Sequence, residues 1–298
     1  MTVHSRIAPT PSGFLHLGNA FNFLLTYLMV RSADGLLRLR IDDLDAHRIR
    51  PEYIADIFDT LDWLGITWQE GPAGAYEAAR YSQLLRRARY EAMLHELVAT
   101  GQVFACTCSR QTVLAQSRDG QYPGTCREKR LPLDTPDAAW RLRTPEGSVI
   151  SFPDGLAGAQ SADLYHTNRD FVIRRKDGIP AYHVASVADD LDYGISTIVR
   201  GADLMASTEA QLYLAGLLRA TSFGEIRFYH HPLLQDPGGQ KLSKSAGSNS
   251  IRAFRDRCGS PAEILRLAAQ WLEETGAHRL LPVPMLTALH AGTLQPSV

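Results

Sequence analysis

Between Arg6 and Gly65 the chain alternates strand and helix signals, and that alternation constrains the fold more than any other feature. Arg6-Ile7-Ala8 runs into Pro9-Thr10-Pro11-Ser12-Gly13, which can neither extend a strand nor open a long helix. Gly18 to Arg31 carries the apolar run Phe21, Phe23, Leu24, Leu25, Leu28 and Met29, predicting a helix that Gly35 stops. Leu37, Leu39 and Ile41 alternate with Arg38 and Arg40, predicting a strand with Asp42, Asp43 and Asp45 at its C-terminal end. Pro51 to Leu64, closed by Gly65, predicts a helix with proline in its first turn. This order points to an α/β fold, a parallel sheet covered by helices.

From about Gln102 to Ala181 the pattern breaks into turn residues with three of the four cysteines, which predicts a smaller inserted unit. Alternation resumes with a strand at Ile195–Arg200, a helix at Ser207–Ala220 and a strand at Ile226–His230. A polar loop at Asp236–Ser245 and a helix at Pro261–Glu274 follow, and the stretch from Pro282 has no assignable role. The 298 residues suffice for one large domain or two ordinary ones. With 45% apolar and 21% charged residues the chain is globular, which excludes extensive disorder. A net charge of −1 excludes a surface that binds nucleic acid throughout, while leaving room for a local basic face. Four cysteines are too few for a disulfide scaffold. No signal-peptide core is present, and the most apolar stretch, Ala20 to Val30, falls short of the roughly 20 residues of a membrane span. A cytoplasmic protein without a membrane partner is the expectation.

Two motifs carry phosphate chemistry. His16-Leu17-Gly18-Asn19 sits where the proline-glycine loop feeds a helix. Its imidazole and carboxamide can reach phosphate oxygens beside the free N–H groups of the helix end, and Gly18 lets a flat ligand approach the backbone. Lys241-Leu242-Ser243-Lys244-Ser245 offers two ammonium groups and two hydroxyls that can clamp a triphosphate and neutralise departing pyrophosphate. Singly, these are an ordinary helix cap and a solvated loop. Together, each beside an expected strand, they point to nucleotide chemistry. The absence of a Walker A sequence and of a complete G-x-G-x-x-G argues against P-loop and dinucleotide binding.

With these motifs the chain resembles the class I aminoacyl-tRNA synthetases of the glutamyl/glutaminyl branch. Arg6 to Asn19 looks like that branch's signature, with His16 to Asn19 matching its HIGH element and Lys241 to Ser245 its KMSKS element. Arg40-Ile41-Asp42-Asp43-Leu44-Asp45 and Val199-Arg200-Gly201-Ala202-Asp203-Leu204 match in order. The resemblance implies a Rossmann-like parallel-sheet catalytic domain (1–101 and 186–250), an inserted zinc-bearing subdomain (102–185) and a short helical stem (251–298). Only about fifty residues follow Ser245, too few for an anticodon-binding domain of family size. That outline is similar to the glutamyl-Q tRNA(Asp) synthetases, which activate glutamate without tRNA and esterify it onto the queuosine base in the anticodon loop of tRNA(Asp). The partners implied are L-glutamate, ATP with Mg²⁺, and tRNA(Asp) carrying queuosine. The alternatives are a truncated glutamyl- or glutaminyl-tRNA synthetase charging a tRNA 3′ end, and a non-catalytic paralogue that binds amino acid or RNA. Intact His16, Asn19, Lys241 and Lys244 argue against the latter.

Glutamate activation requires anchors for a side-chain carboxylate and an α-ammonium. Arg6 and Arg200 are the cationic candidates, because guanidinium pairs bidentately with carboxylate. The resemblance implies that Arg6, Ile7, Ala8, Pro9 and Thr10 line the glutamate site, completed by Asp42, Tyr182 and Arg200. Asp42 stands where the family usually has glutamate, one methylene or on the order of 1.5 Å longer, which leaves glutamine open as a substrate. Adenylate formation needs positioning and charge neutralisation rather than a general base. Lys244 is assigned the leading transition-state role. Lys241, His16 and Asn19 support it, and Gly18 and Ser243 complete the ATP contacts.

Cys106, Cys108 and Cys126 fall within 21 residues of the turn-rich insert, a donor set that suits one structural Zn²⁺. Spacing names no fourth ligand: His95 and His166 are distant, and three buried reduced thiols is the competing reading. The resemblance implies the Tyr122 oxygen as fourth ligand. Cys258 reads as a plain buried residue. Basic clusters at Arg86-Arg87-Ala88-Arg89, Arg127-Glu128-Lys129-Arg130 and Arg174-Arg175-Lys176 are either phosphate contacts or solvated faces.

Overall fold

The computed structural model describes residues 2–117, 119–234 and 250–294. In chain order the first half holds β1 (His4–Ile7), α1 (Leu17–Ser32), β2 (Leu36–Leu39), α2 (Pro51–Leu64), α3 (Arg87–Ala99), β3 (Val103–Cys106), α4 (Arg110–Gln116) and β4 (Ala139–Leu142). Next come β5 (Val149–Asp154), β6 (Gly158–Asp163), α5 (Leu164–Thr167), β7 (Val172–Arg174), α6 (Tyr182–Asp192), β8 (Thr197–Gly201), α7 (Met205–Leu217), α8 (Thr221–Gly224) and β9 (Arg227–His231). The C-terminal part is α9 (Ile251–Cys258), α10 (Ala262–Glu274) and α11 (Val283–His290).

The expected parallel sheet is present. β1 pairs with β2 and β8 with β9, both in parallel. Ser196 joins the two pairs: its N–H donates to His4 O at 2.9 Å, and its Oγ accepts the His4 N–H at 3.0 Å. α1 is apolar around most of its circumference because it is buried between the sheet and the C-terminal helices, with Phe21, Phe23, Leu24, Leu25 and Leu28 all in the core. α2 starts on Pro51 and ends at Gly65, whose φ of 74° is the left-handed cap that glycine adopts without strain. α10 buries Ile264, Leu265, Ala268 and Leu272 in the same core, and its Trp271 ring lies 5.4 Å from that of Phe21. The stretch after Pro282, left unassigned by sequence, forms α11 packed on α10.

Within 102–185, β3, β4 and β7 form a separate antiparallel sheet. The β5–β6 hairpin behaves differently. β5 meets β9 in parallel, with Asp154 opposite Phe228, so the hairpin extends the main sheet. Buried Asp154 makes this junction by accepting from His230 Nδ1 at 2.6 Å, and it closes the hairpin's own turn by accepting the Leu156 and Ala157 N–H groups at 2.9 and 2.8 Å. Cys258 is half-buried rather than buried, and its thiol donates to Glu263 at 3.1 Å. Among the described residues no helix is long and apolar enough to cross a membrane.

Candidate active site

A cleft of about 690 Å³ opens at the C-terminal ends of β1, β8 and β9, against the N-terminus of α1. Parallel α/β sheets collect ligands at this end. It brings together residues from four distant parts of the chain: Arg6, Ala8, Pro9 and Thr10; His16, Gly18 and Asn19; Asp42; and Tyr182 with Arg200. Ile7 is the exception. Strand alternation turns it away from Arg6 and into the core, where it is 2% exposed.

One wall of the cleft is the start of α1. His16 is the N-cap residue in extended conformation, and its N–H donates to Asn19 Oδ1 at 3.1 Å. A Cβ on Gly18 would lie 3.0 Å from His16 Cε1, so the bare glycine makes room for the imidazole. Asp56 on α2 steadies the preceding loop by accepting the Leu15 N–H at 3.1 Å. Ser250 forms a bridge with His16, and Leu234 lines the cleft. Lys241, Ser243 and Lys244 lie outside the described residues.

The opposite wall is charged. Asp190 on α6 is buried and accepts from Arg6 Nε at 3.2 Å and Arg40 Nη1 at 2.9 Å. Burial opposes its charge, but Arg6, Arg40 and Arg200 hold its carboxyl below the ordinary range. Asp42 is gripped twice by Arg40; burial nevertheless pushes its carboxyl up to about 6. Arg200 is 3% exposed and makes no ion pair among the described residues. Its Nη1 donates to Gln211 Oε1 at 3.0 Å, while Nε and Nη2 have no acceptor. Burial pushes its guanidinium down to about 10, partly offset by the neighbouring Tyr182. Tyr182 stands at the mouth, 42% exposed.

In the insert, the sulfurs of Cys106, Cys108 and Cys126 lie within 4.8 Å of one another, with 3.6 Å between Cys108 and Cys126. Tetrahedral zinc with bonds of about 2.3 Å spaces its sulfurs roughly 3.8 Å apart, so the cluster is compatible with zinc. The Tyr122 hydroxyl accepts the Cys126 N–H at 2.7 Å and interacts with Cys106, and Arg141 stacks on its ring at 3.8 Å. His95 and His166 are not part of the cluster.

A family profile described as "tRNA synthetases class I (E and Q), catalytic domain" matches residues 2–269. The chain belongs to that family. It is 40% identical over 273 residues to the Glutamyl-Q tRNA(Asp) synthetase of Nitratidesulfovibrio vulgaris, covering 87% of this chain and 83% of that one. It is 37% identical over 298 residues to the Glutamyl-Q tRNA(Asp) synthetase of Pseudomonas entomophila, with 94% and 96% covered. The solved glutamate-tRNA synthetase from Elizabethkingia anophelis superposes with a TM-score of 0.69 at 26% identity, over 88% of this chain and 55% of that one. The chain thus spans about half of that longer synthetase. As a class I synthetase it is a ligase of a type that uses ATP with Mg²⁺.

Motif reading named Arg40 without its role, and it missed Asp190 and Gln211, which stand behind the cleft and bond to the lining residues Arg6, Arg40 and Arg200. The adjacent acids Asp189 and Asp190, within the apolar stretch of α6, were the available signal, since buried carboxylates need buried cations. Asp189, with Asp192 and Glu91, accounts for the first basic cluster. Arg86 pairs with Asp189 at 2.6 Å and Asp192 at 2.7 Å, Arg89 with Asp192 at 3.1 Å, and Arg87 with Glu91 at 3.5 Å. In the third cluster Arg175 pairs with Asp177 and Asp45, Arg174 stacks on Trp140, and Lys176 donates to Thr107 O. Lys129 and Arg130, beside Cys126, are exposed and make no ion pair among the described residues.

Proposed function

We propose that the protein activates L-glutamate with ATP, without tRNA, and transfers it to the queuosine base in the anticodon loop of tRNA(Asp). The observation that carries the glutamate step is Arg200, a buried guanidinium with two unpaired nitrogens in the same cleft as His16 and Asn19. A substrate carboxylate supplies the acceptors that Arg200 lacks, and a carboxamide supplies only one oxygen. This favours glutamate over glutamine despite the shorter Asp42.

In the first step the α-carboxylate of glutamate attacks the α-phosphorus of ATP in line, forming the acyl phosphate bond as pyrophosphate leaves. His16 and Asn19 at the positive end of α1 hold phosphate oxygens, Lys241 and Lys244 neutralise charge on the leaving pyrophosphate, and Mg²⁺ accompanies the triphosphate. Asp42 receives the α-ammonium while remaining bonded to Arg40. In the second step a hydroxyl of the queuosine base attacks the activated carbonyl and AMP leaves. The names of the relatives that match along most of their length support this acceptor. Zinc held by Cys106, Cys108, Cys126 and Tyr122 shapes the insert, with Lys129 and Arg130 available to RNA phosphates.

The test is transfer of labelled glutamate to tRNA(Asp) with and without queuosine. Label confined to queuosine-bearing tRNA, and lost when the anticodon loop is excised, is the expected result. Label on the 3′ end of either tRNA would favour a truncated synthetase. Lys244→Ala should lower the activation rate far more than it weakens glutamate binding.

A further inference from the structure

We propose that Gln211 is a specificity-determining residue, because its neutral carboxamide fixes the Arg200 guanidinium without spending its charge. This rests on the glutamate reading above. Gln211 lies on α7 and is fully buried. Arginine has only donors, so Gln211 must present Oε1 to Arg200, as observed at 3.0 Å. That orientation turns Gln211 Nε2 away, and it too has no acceptor. Arg200 Nε, Arg200 Nη2 and Gln211 Nε2 are therefore three buried, unpaired donors on one contacting pair of side chains.

Asp190 is close enough to attract Arg200, but it makes no hydrogen bond or ion pair with it among the described residues. Arg6 and Arg40 share Asp190 through its Oδ1. The Phe228 ring lies 5.5 Å from the guanidinium carbon and carries no formal charge. His183, packed edge-on to Phe171, is held neutral near physiological pH by burial and by Arg200, its imidazolium pushed down to about 4. A glutamate at 211 would reach the same guanidinium and form a buried internal ion pair. The substrate carboxylate would then compete with a covalently attached one, and the site would lose its reason to prefer glutamate over glutamine.

The experiment is ATP–pyrophosphate exchange with glutamate and with glutamine, comparing wild type, Gln211→Glu and Gln211→Met. Gln211→Glu should lower kcat/KM for glutamate about 10- to 100-fold, mainly through KM, the range spanned by one hydrogen bond to a charged group. Glutamine should suffer less, so the glutamate-to-glutamine ratio falls about tenfold or more. Gln211→Met removes the hydrogen bond but adds no charge. It should raise KM for glutamate while keeping the ratio within about threefold of wild type. A wild-type ratio in Gln211→Glu overturns the inference while leaving glutamate activation standing. Should Gln211→Glu fail to fold by circular dichroism, an unchanged KM in Gln211→Met overturns it. Wild-type protein that activates only glutamine overturns the glutamate reading and this inference together.

Discussion

Arg40 holds Asp42 through two hydrogen bonds, from Nε at 2.6 Å and from Nη2 at 3.2 Å. The same guanidinium donates Nη1 to Asp190 at 2.9 Å, so one residue just past β2 ties Asp42, which lines the cleft, to the buried Asp190 behind it. Asp42 lies beside the cleft rather than deep behind it, which makes its protonation consequential for substrate.

Burial pushes the Asp42 carboxyl up to about 6 against the pull of Arg40. Between about pH 4 and 6 the folded state therefore binds more protons than the unfolded chain, and this group's contribution to stability falls as pH rises. Substrate binding runs the other way, because the α-ammonium needs the carboxylate. The KM for glutamate should rise as pH drops through about 6, and Asp42→Asn should hold KM high and flatten that dependence. A pH series of exchange assays checks this; a flat wild-type profile would contradict it.

The cysteine cluster predicts bound metal. Purified protein should carry on the order of one zinc per chain by mass spectrometry, and Cys126→Ser or Cys108→Ser should lose it and lower the melting temperature. Wild-type protein that takes up no zinc after reconstitution would reject the site.

Asp154 ties the hairpin to the main sheet through His230, whose N–H and Nδ1 both bond to it, and it also accepts the Leu156 and Ala157 N–H groups of the hairpin's own turn. Asp154→Ala leaves those donors buried and unpaired, and should cost about 3–5 kcal/mol in urea unfolding. A loss below about 1 kcal/mol, typical of a surface substitution, would show that the junction is held by other contacts.

Local physics made part of this legible. Pro51 and Gly65 bounded α2 in the sequence because helix ends have their own chemistry, and His16 and Asn19 stood out because they open a helix. The parallel pairing of β1 and β2 followed from strand–helix–strand order. Tertiary partners were not legible. Nothing near β5 announces that Asp154 will meet Phe228 and His230. Arg86 and Arg89 read as free positive charge because Asp189 and Asp192 lie a hundred residues away in sequence. Gln211 carried no signal at all: a neutral amide inside a helix is chemically silent until a buried arginine is set against it.

Exchange of labelled pyrophosphate into ATP, with purified protein and no tRNA, tests the central claim most directly. Glutamate should support exchange with a much higher kcat/KM than glutamine, with Arg200→Ala abolishing the glutamate signal. Exchange with glutamine alone, or exchange that appears only when tRNA is added, would contradict the account.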